Sequence, residues 1–224
     1  MDSDDTVAAV AALIETTLLA SDEPCEFEAR LGEIGGAGFK AGVSMKQIDR
    51  MATLLGTFDE WSTVSEWLET HTYYLPEDGL RIEVCFDDDT MSVQPTAMEK
   101  RSLGTFDLAT PNPLGPDVRF AASEERLVDR ALPAVVQPTH VRIKQRRYFE
   151  YTPQRYHAPA FRYDLTLVWS GRTKAEAEEW QRSERPPKYE VEIELTGGRA
   201  YVEAVGSDRA ARSLLAKCRD LVVV

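Results

Sequence analysis

Cysteine is scarce in this 224-residue chain, and its three copies, Cys25, Cys85 and Cys218, lie far apart. They form neither a disulfide framework nor a zinc-type pair, so a reducing compartment is expected. Histidine is equally rare, and His71, His140 and His157 fall at no metal-binding spacing. No apolar run reaches the ~18 residues that a membrane span needs, and the acidic N-terminus lacks the basic segment of a secretory signal. A G-x-x-x-x-G-K-[ST] loop and a nucleophile elbow are missing too, which excludes a P-loop enzyme and leaves covalent catalysis without support. Basic surplus is also lacking: 26 Lys and Arg stand against 38 Asp and Glu, a net charge of −12. The balance argues against a generic nucleic-acid coat or a polybasic membrane-binding surface, though gathered basic residues could still bind a phosphorylated ligand. The expectation is a soluble intracellular protein with no membrane partner.

What is present suits one domain over 1–224, since hydrophobic residues at 43% suffice for a core. Helical signals cover 6–20, after an acidic cap-like DSDDT, then 44–55 and 59–71, where Trp61, Val64, Trp67 and Leu68 recur at helical spacing. Shorter helices are predicted at 123–132, 173–183 and 208–220. Strand signals cover 25–34, 80–86, 91–103, 117–122, 140–151, 161–169, 188–195 and 199–205. Glycine, proline and aspartate clusters separate them. Asp87-Asp88-Asp89 and Gly197-Gly198 read as tight hairpins, and Gly35-Gly36-Ala37-Gly38 as a flexible hairpin or loop. Trp61, Trp67 and Trp180 read as packing residues. The class is mainly β (α+β), about eight strands with helices at the ends.

Each strand alternates apolar and charged residues, so each charge set shares one face. CEFEARLG carries Glu26 and Glu28, YEVEIEL carries Glu190, Glu192 and Glu194, and VRIKQRRYF carries Arg142, Lys144 and Arg146. An ordinary sheet with a solvated face would also alternate, but it would mix its signs, because like charges on neighbouring strands repel. Two unit charges ~4 Å apart cost roughly 4 kcal/mol at an effective dielectric near 20. Five gathered carboxylates call for cations, and a divalent metal with a basic strand would supply them. A closed barrel with a wet interior permits this, its outer apolar face covered by helices.

The ordered set EFEARLG, VRIKQRRYF, FRYDLT and YEVEIEL resembles the metal-dependent RNA 5′-triphosphatases of mRNA capping, of fungal, protozoan and large-DNA-virus type, within the triphosphate tunnel metalloenzymes. Weaker matches lie at LRIEVCFDD around Arg81, MEKR around Lys100, and DVRFAASEE around Arg119 and Glu124. Four ordered motifs spanning 25–195 are specific where a single E-x-E is not. The resemblance implies an eight-stranded antiparallel closed barrel around a hydrophilic tunnel, with an N-terminal helix within 1–22 and a helical insertion at 40–72 packed on the barrel. It also implies removal of the γ-phosphate from 5′-triphosphate RNA, and hydrolysis of nucleoside triphosphates with manganese.

The same resemblance assigns roles. Glu26, Glu28 and Glu194 are the expected ligands of magnesium or manganese, hard cations that prefer oxygen. Glu190 and Glu192 are expected to hold basic residues or metal-bound waters. Arg81, Lys100, Arg119, Arg142, Lys144 and Arg146 form the expected phosphate cradle. Glu124 is expected to orient the attacking water, with Glu125 its competitor, while Arg162, Asp164 and Thr166 build the barrel. For the acidic partner ahead of the Arg81 strand, the nearest residues are Glu69 and His71.

Triphosphate RNA and nucleoside triphosphates are then the substrates, an RNA guanylyltransferase the implied partner, and a monomer or homodimer the implied state. The nucleus is implied for a cellular eukaryotic enzyme, and otherwise the cytoplasm or a virus. The competing readings are another tunnel enzyme, acting on tripolyphosphate or thiamine triphosphate or cyclising ATP, and a non-catalytic capping subunit.

Overall fold

The computed structural model describes residues 3–76, 80–86, 93–112, 115–128, 138–183 and 185–223. Ten strands are present among them: β1 (Cys25–Gly35), β2 (Gly38–Ala41), β3 (Thr63–Val64), β4 (Leu68–Tyr74), β5 (Leu80–Phe86), β6 (Val93–Leu108), β7 (Asp117–Leu127), β8 (His140–Tyr151), β9 (Phe161–Gly171) and β10 (Lys188–Glu194). Five helices accompany them: α1 (Asp4–Thr16), α2 (Met45–Thr57), α3 (Lys174–Arg182), α4 (Gly198–Val205) and α5 (Ser207–Val222).

Eight strands close on themselves in the order β1-β7-β6-β5-β4-β8-β9-β10, each antiparallel to the next. β10 returns to β1 through the pairs Glu28↔Glu194 and Arg30↔Glu192. Closure removes the sheet edges that would otherwise invite pairing with another chain. β2 folds back on β1 through the pair Gly35↔Gly38, where Gly38 takes φ 103°, a backbone state that glycine adopts without strain. β3 lies on β8.

Alternation along each wall strand sends charges inward and apolar side chains outward, so the hydrophobic core lies outside the barrel. Phe27, Ala29 and Leu31 of β1, Phe120 and Ala122 of β7 and Val191 and Ile193 of β10 pack against Val10 and Ile14 of α1 and Leu214, Leu215 and Cys218 of α5. A second patch joins Val141 and Ile143 of β8 to Ala177 of α3. Side chains cap α1, α2 and α3. Ser3 accepts the Thr6 amide at 3.2 Å to start α1, and Ser44 and Gln47 form a reciprocal capping box on α2. Among the described residues no helix is long and apolar enough to cross a membrane.

Three segments depart from the sequence-based expectation. The helix predicted at 59–71 is not formed: β3 and β4 occupy it. Thr-His-Thr-Tyr-Tyr is β-branched and aromatic, and β4 is held between β5 and β8 by continuous pairing. Trp61 packs on Phe149 and Tyr163 and donates its indole N–H to the Leu55 carbonyl at 2.8 Å, whereas Trp67 and Trp180 stay substantially exposed. The helix predicted at 123–132 is absent through residue 127, because β7 continues to Leu127 in register with β6. The strand predicted at 199–205 is α4, whose buried Tyr201 and Val202 and half-buried Val205 fit a helical period. Gly197-Gly198 accordingly leads into a helix rather than making a hairpin. The hairpin at Asp87–Asp89 lies outside the described residues.

Candidate functional site

The barrel encloses a cavity of about 750 Å³ lined by seven carboxylates and eight cations. The lumen is thus near charge balance while the chain carries −12, so the excess negative charge lies elsewhere. Position within each strand decides which groups enter. Glu26, Glu28 and Arg30 of β1 point inward, and Phe27, Ala29 and Leu31 point outward; β10 does the same with Glu190, Glu192 and Glu194.

β1 and β10 are neighbours, so Glu28 and Glu194 face each other across one rung and Glu26 lies beside them. Cations hold this group in place. Lys100 Nζ contacts Glu26, lies 3.9 Å from Glu28 and 2.9 Å from Glu125, while Arg30 joins Glu28 to Glu192, the latter at 3.1 Å. Arg162 reaches Glu194 at 2.7 Å and Asp164 at 3.0 Å. Burial, with Glu192 and Glu26 nearby, pushes the Glu28 carboxyl up to about 8. Burial also lifts Glu194 to about 7, against the pull of Arg162.

Two and three strands round the wall from these acids, β8 presents Arg142, Lys144 and Arg146. Arg142 is anchored by Glu190 at 2.5 Å, and Arg146 lies 3.5 Å from Asp164. Among the described residues no carboxylate comes within ion-pair distance of Lys144, which is 7% exposed. Burial, then repulsion from Arg146 and Arg142, lowers its affinity for a proton. A buried ammonium between two guanidinium groups is a place for an anion.

The structure brings together most of the residues that the sequence singled out. Glu26, Glu28, Arg81, Lys100, Arg142, Lys144, Arg146, Glu190, Glu192 and Glu194 all line the cavity. Arg162 lines it as well, while Asp164 and Thr166 are buried in the same wall. Three expectations fail on position. Glu124 shares the outward face of β7 with Phe120 and Ala122, accepting from Ser21 at 2.9 Å and pairing with Arg101 at 2.6 Å. Its neighbour Glu125 takes the inward position, held by Arg81 at 2.7 Å and Lys100 at 2.9 Å. Arg119 does not line the cavity: it pairs with Asp107 at 2.6 Å and stacks over Phe39. Glu69 and His71 are outside the lumen too, bonded to each other and, through Glu69, to Gln145 and Gln181.

Arg30, Tyr74, Glu83 and Lys188 are lining residues that the sequence reading did not select. Arg30, Glu83 and Lys188 continue the alternation of strands already recognised, at 26-28-30, 81-83-85 and 188-190-192. Counting outward from the motif would have found them. Tyr74 lies between the helix expected at 59–71 and the strand expected from 80, in a stretch where the sequence signals no element.

The donors fit a hard divalent cation: crowded carboxylates, two of them held protonated into the neutral range by burial, with an ammonium standing among them. Among the described residues no three acids are drawn together into a finished cage; each leans instead on Arg30, Lys100 or Arg162.

The fold is a closed antiparallel barrel with its charges inside and its apolar face beneath helices. The chain is similar to the S. pombe Pct1 RNA triphosphatase, with a TM-score of 0.72 and 16% identity over 99% of this chain and 93% of that one. The same protein in complex with the Spt5 CTD gives a TM-score of 0.67. The RNA triphosphatase domain of the mimivirus mRNA capping enzyme gives 0.59 at 13% identity, over 98% and 97% of the two chains. No family model and no curated protein matches the sequence.

Proposed function

We propose that this protein is a metal-dependent polynucleotide 5′-phosphatase that removes the γ-phosphate of 5′-triphosphate RNA in cap synthesis. The observation that carries the reading is the enclosure of the Glu26, Glu28 and Glu194 group and the Arg142, Lys144 and Arg146 row in one lumen. Phosphoryl transfer needs mainly positioning and charge neutralisation, which such a lumen supplies.

Glu26, Glu28 and Glu194 would hold magnesium or manganese. When bound, the metal would neutralise charge on the terminal phosphate. Arg142 and Arg146 offer paired N–H donors to phosphate oxygens and Lys144 a point charge between them. Glu125, fixed by Arg81 and Lys100, would orient a water and accept its proton as the water oxygen bonds to the γ-phosphorus and the bond from that phosphorus to the bridging oxygen breaks. The products are inorganic phosphate and a diphosphate-ended RNA, the substrate of an RNA guanylyltransferase. Free nucleoside triphosphates should be cleaved in manganese, and the nucleus is the compartment if the source is a cellular eukaryote.

γ-Labelled triphosphate RNA incubated with magnesium, against a chelator control, tests the reading. Metal-dependent release of phosphate is expected, and none from folded protein would end it. Parallel turnover of tripolyphosphate separates this activity from that of other tunnel enzymes.

A further inference from the structure

The aliphatic side chains of the cavity lining are Ala41, Leu75 and Leu80, and the Met98 thioether lines it as well. Leu75 and Leu80 close the junction of β4 and β5, the Leu75 amide donating to the Leu80 carbonyl at 3.0 Å. Tyr74 sits beside them, paired in register with Arg81 and with His140, whose ring centroid lies 5.7 Å from its own. Met98 is the β6 partner of Arg81. The Val43–Tyr189 bridge brings the segment after Ala41 against the start of β10.

This collar is joined to the cation row: Arg142 donates to the Tyr74 hydroxyl at 3.5 Å and also to Glu190. Glu194 stands at the far end of β10, six residues beyond Lys188, which is about 20 Å at 3.3 Å per residue. A chain of phosphates gripped by β8 with its terminus among Glu26, Glu28 and Glu194 places its other end at the collar. That other end is a nucleoside, the one part of such a substrate with a flat apolar face.

We propose that Tyr74, Leu75 and Leu80 form a base-receiving collar, so that the 5′ nucleoside enters and stays at this mouth. The proposal rests on the phosphohydrolase reading above. Aromatic contact with a base accepts any base, so the collar would favour nucleotides over bare polyphosphates without selecting a sequence.

Photolabelling with 8-azido-ATP, followed by peptide mapping, tests it on the wild-type protein. The adduct is expected on the peptide carrying Tyr74, Leu75 and Leu80, and excess tripolyphosphate should abolish it. An adduct on Trp67, exposed beyond the other end of β4, overturns the proposal. So does the lack of any tripolyphosphate-sensitive adduct in a protein that releases phosphate from the same nucleotide. Failure to release phosphate at all would overturn the parent reading, and this one with it. A second measurement compares kcat/KM for ATP and tripolyphosphate. Tyr74→Leu should lower the ratio of nucleotide to tripolyphosphate about tenfold, the order expected for losing one base stack, and Tyr74→Phe should keep it. Equal losses on both substrates would instead mark Tyr74 as a mere support for Arg142.

Discussion

Phe27 and Glu28 are sequence neighbours, 0% and 3% exposed, yet opposite physics holds them. Phe27 lies in a dry layer between wall and helices, where burial itself stabilises and each lost methylene leaves a void. Glu28 lies in a lumen where burial costs free energy, offset only by the cations that reach it. One strand thus serves two cores, an outer one that makes the barrel stable and an inner one that spends part of that stability on poised charge.

The widest contrast is expected from Lys144→Ala and Glu28→Ala, each of which should reduce phosphate release on the order of a hundredfold or more while circular dichroism stays unchanged. Near-full turnover by either would refute the site assignment. Lys144→Ala should also raise the melting temperature, because it removes an ammonium that burial and two guanidinium neighbours disfavour. The opposite sign belongs to the outer layer. Leu214→Ala should lose roughly 2–5 kcal/mol in denaturant unfolding, with catalysis by the surviving folded fraction intact.

The two faces of β7 provide a sharper test. Glu125→Ala should lose most of its turnover, and Glu124→Ala should behave as the wild type, since its partners are Ser21 and Arg101 outside the lumen. The reverse result would mean that the strand is inverted.

The same contrast can be read from the effect of pH on the chelated protein. The folded pKa of Glu28, about 8, lies above its ordinary 4.5, so its protonated form favours folding. That contribution is complete below about 4.5 and is lost as pH rises through about 8, and Glu194 adds to the trend up to about 7. The melting temperature should fall over this range, and Glu28→Gln should flatten the fall. A flat wild-type profile would contradict the burial of these carboxylates.

Much of this was legible in the sequence because a two-residue period leaves a local trace. EFEA, RIKQR, FRYDLT and YEVEIE each state which side chains share a face, and these four runs in order define most of the lumen's acids and bases. The eighth barrel strand was another matter. The expected count of eight was reached with 199–205, whereas β4 takes that place in the wall. LETHTYY has no run of charges to mark its alternation, and Tyr201, Val202 and Val205 satisfy a helix as well as a strand. Glu124 and Glu125 show the same limit on a smaller scale. Adjacent residues always point to opposite faces of a strand, but a helix cap was an equally good local reading of Ser123-Glu124-Glu125.

The sequence by itself therefore determined the charge sets, the strands that bear them and the apolar rows at their backs, because these depend on periods of two residues. Tertiary structure alone decided which strands meet, that β10 returns to β1 so that Glu28 faces Glu194, and that Glu125 rather than Glu124 looks inward. Such choices depend on pairing between segments more than 80 residues apart, where register is set by closure of the whole wall and not by any local preference.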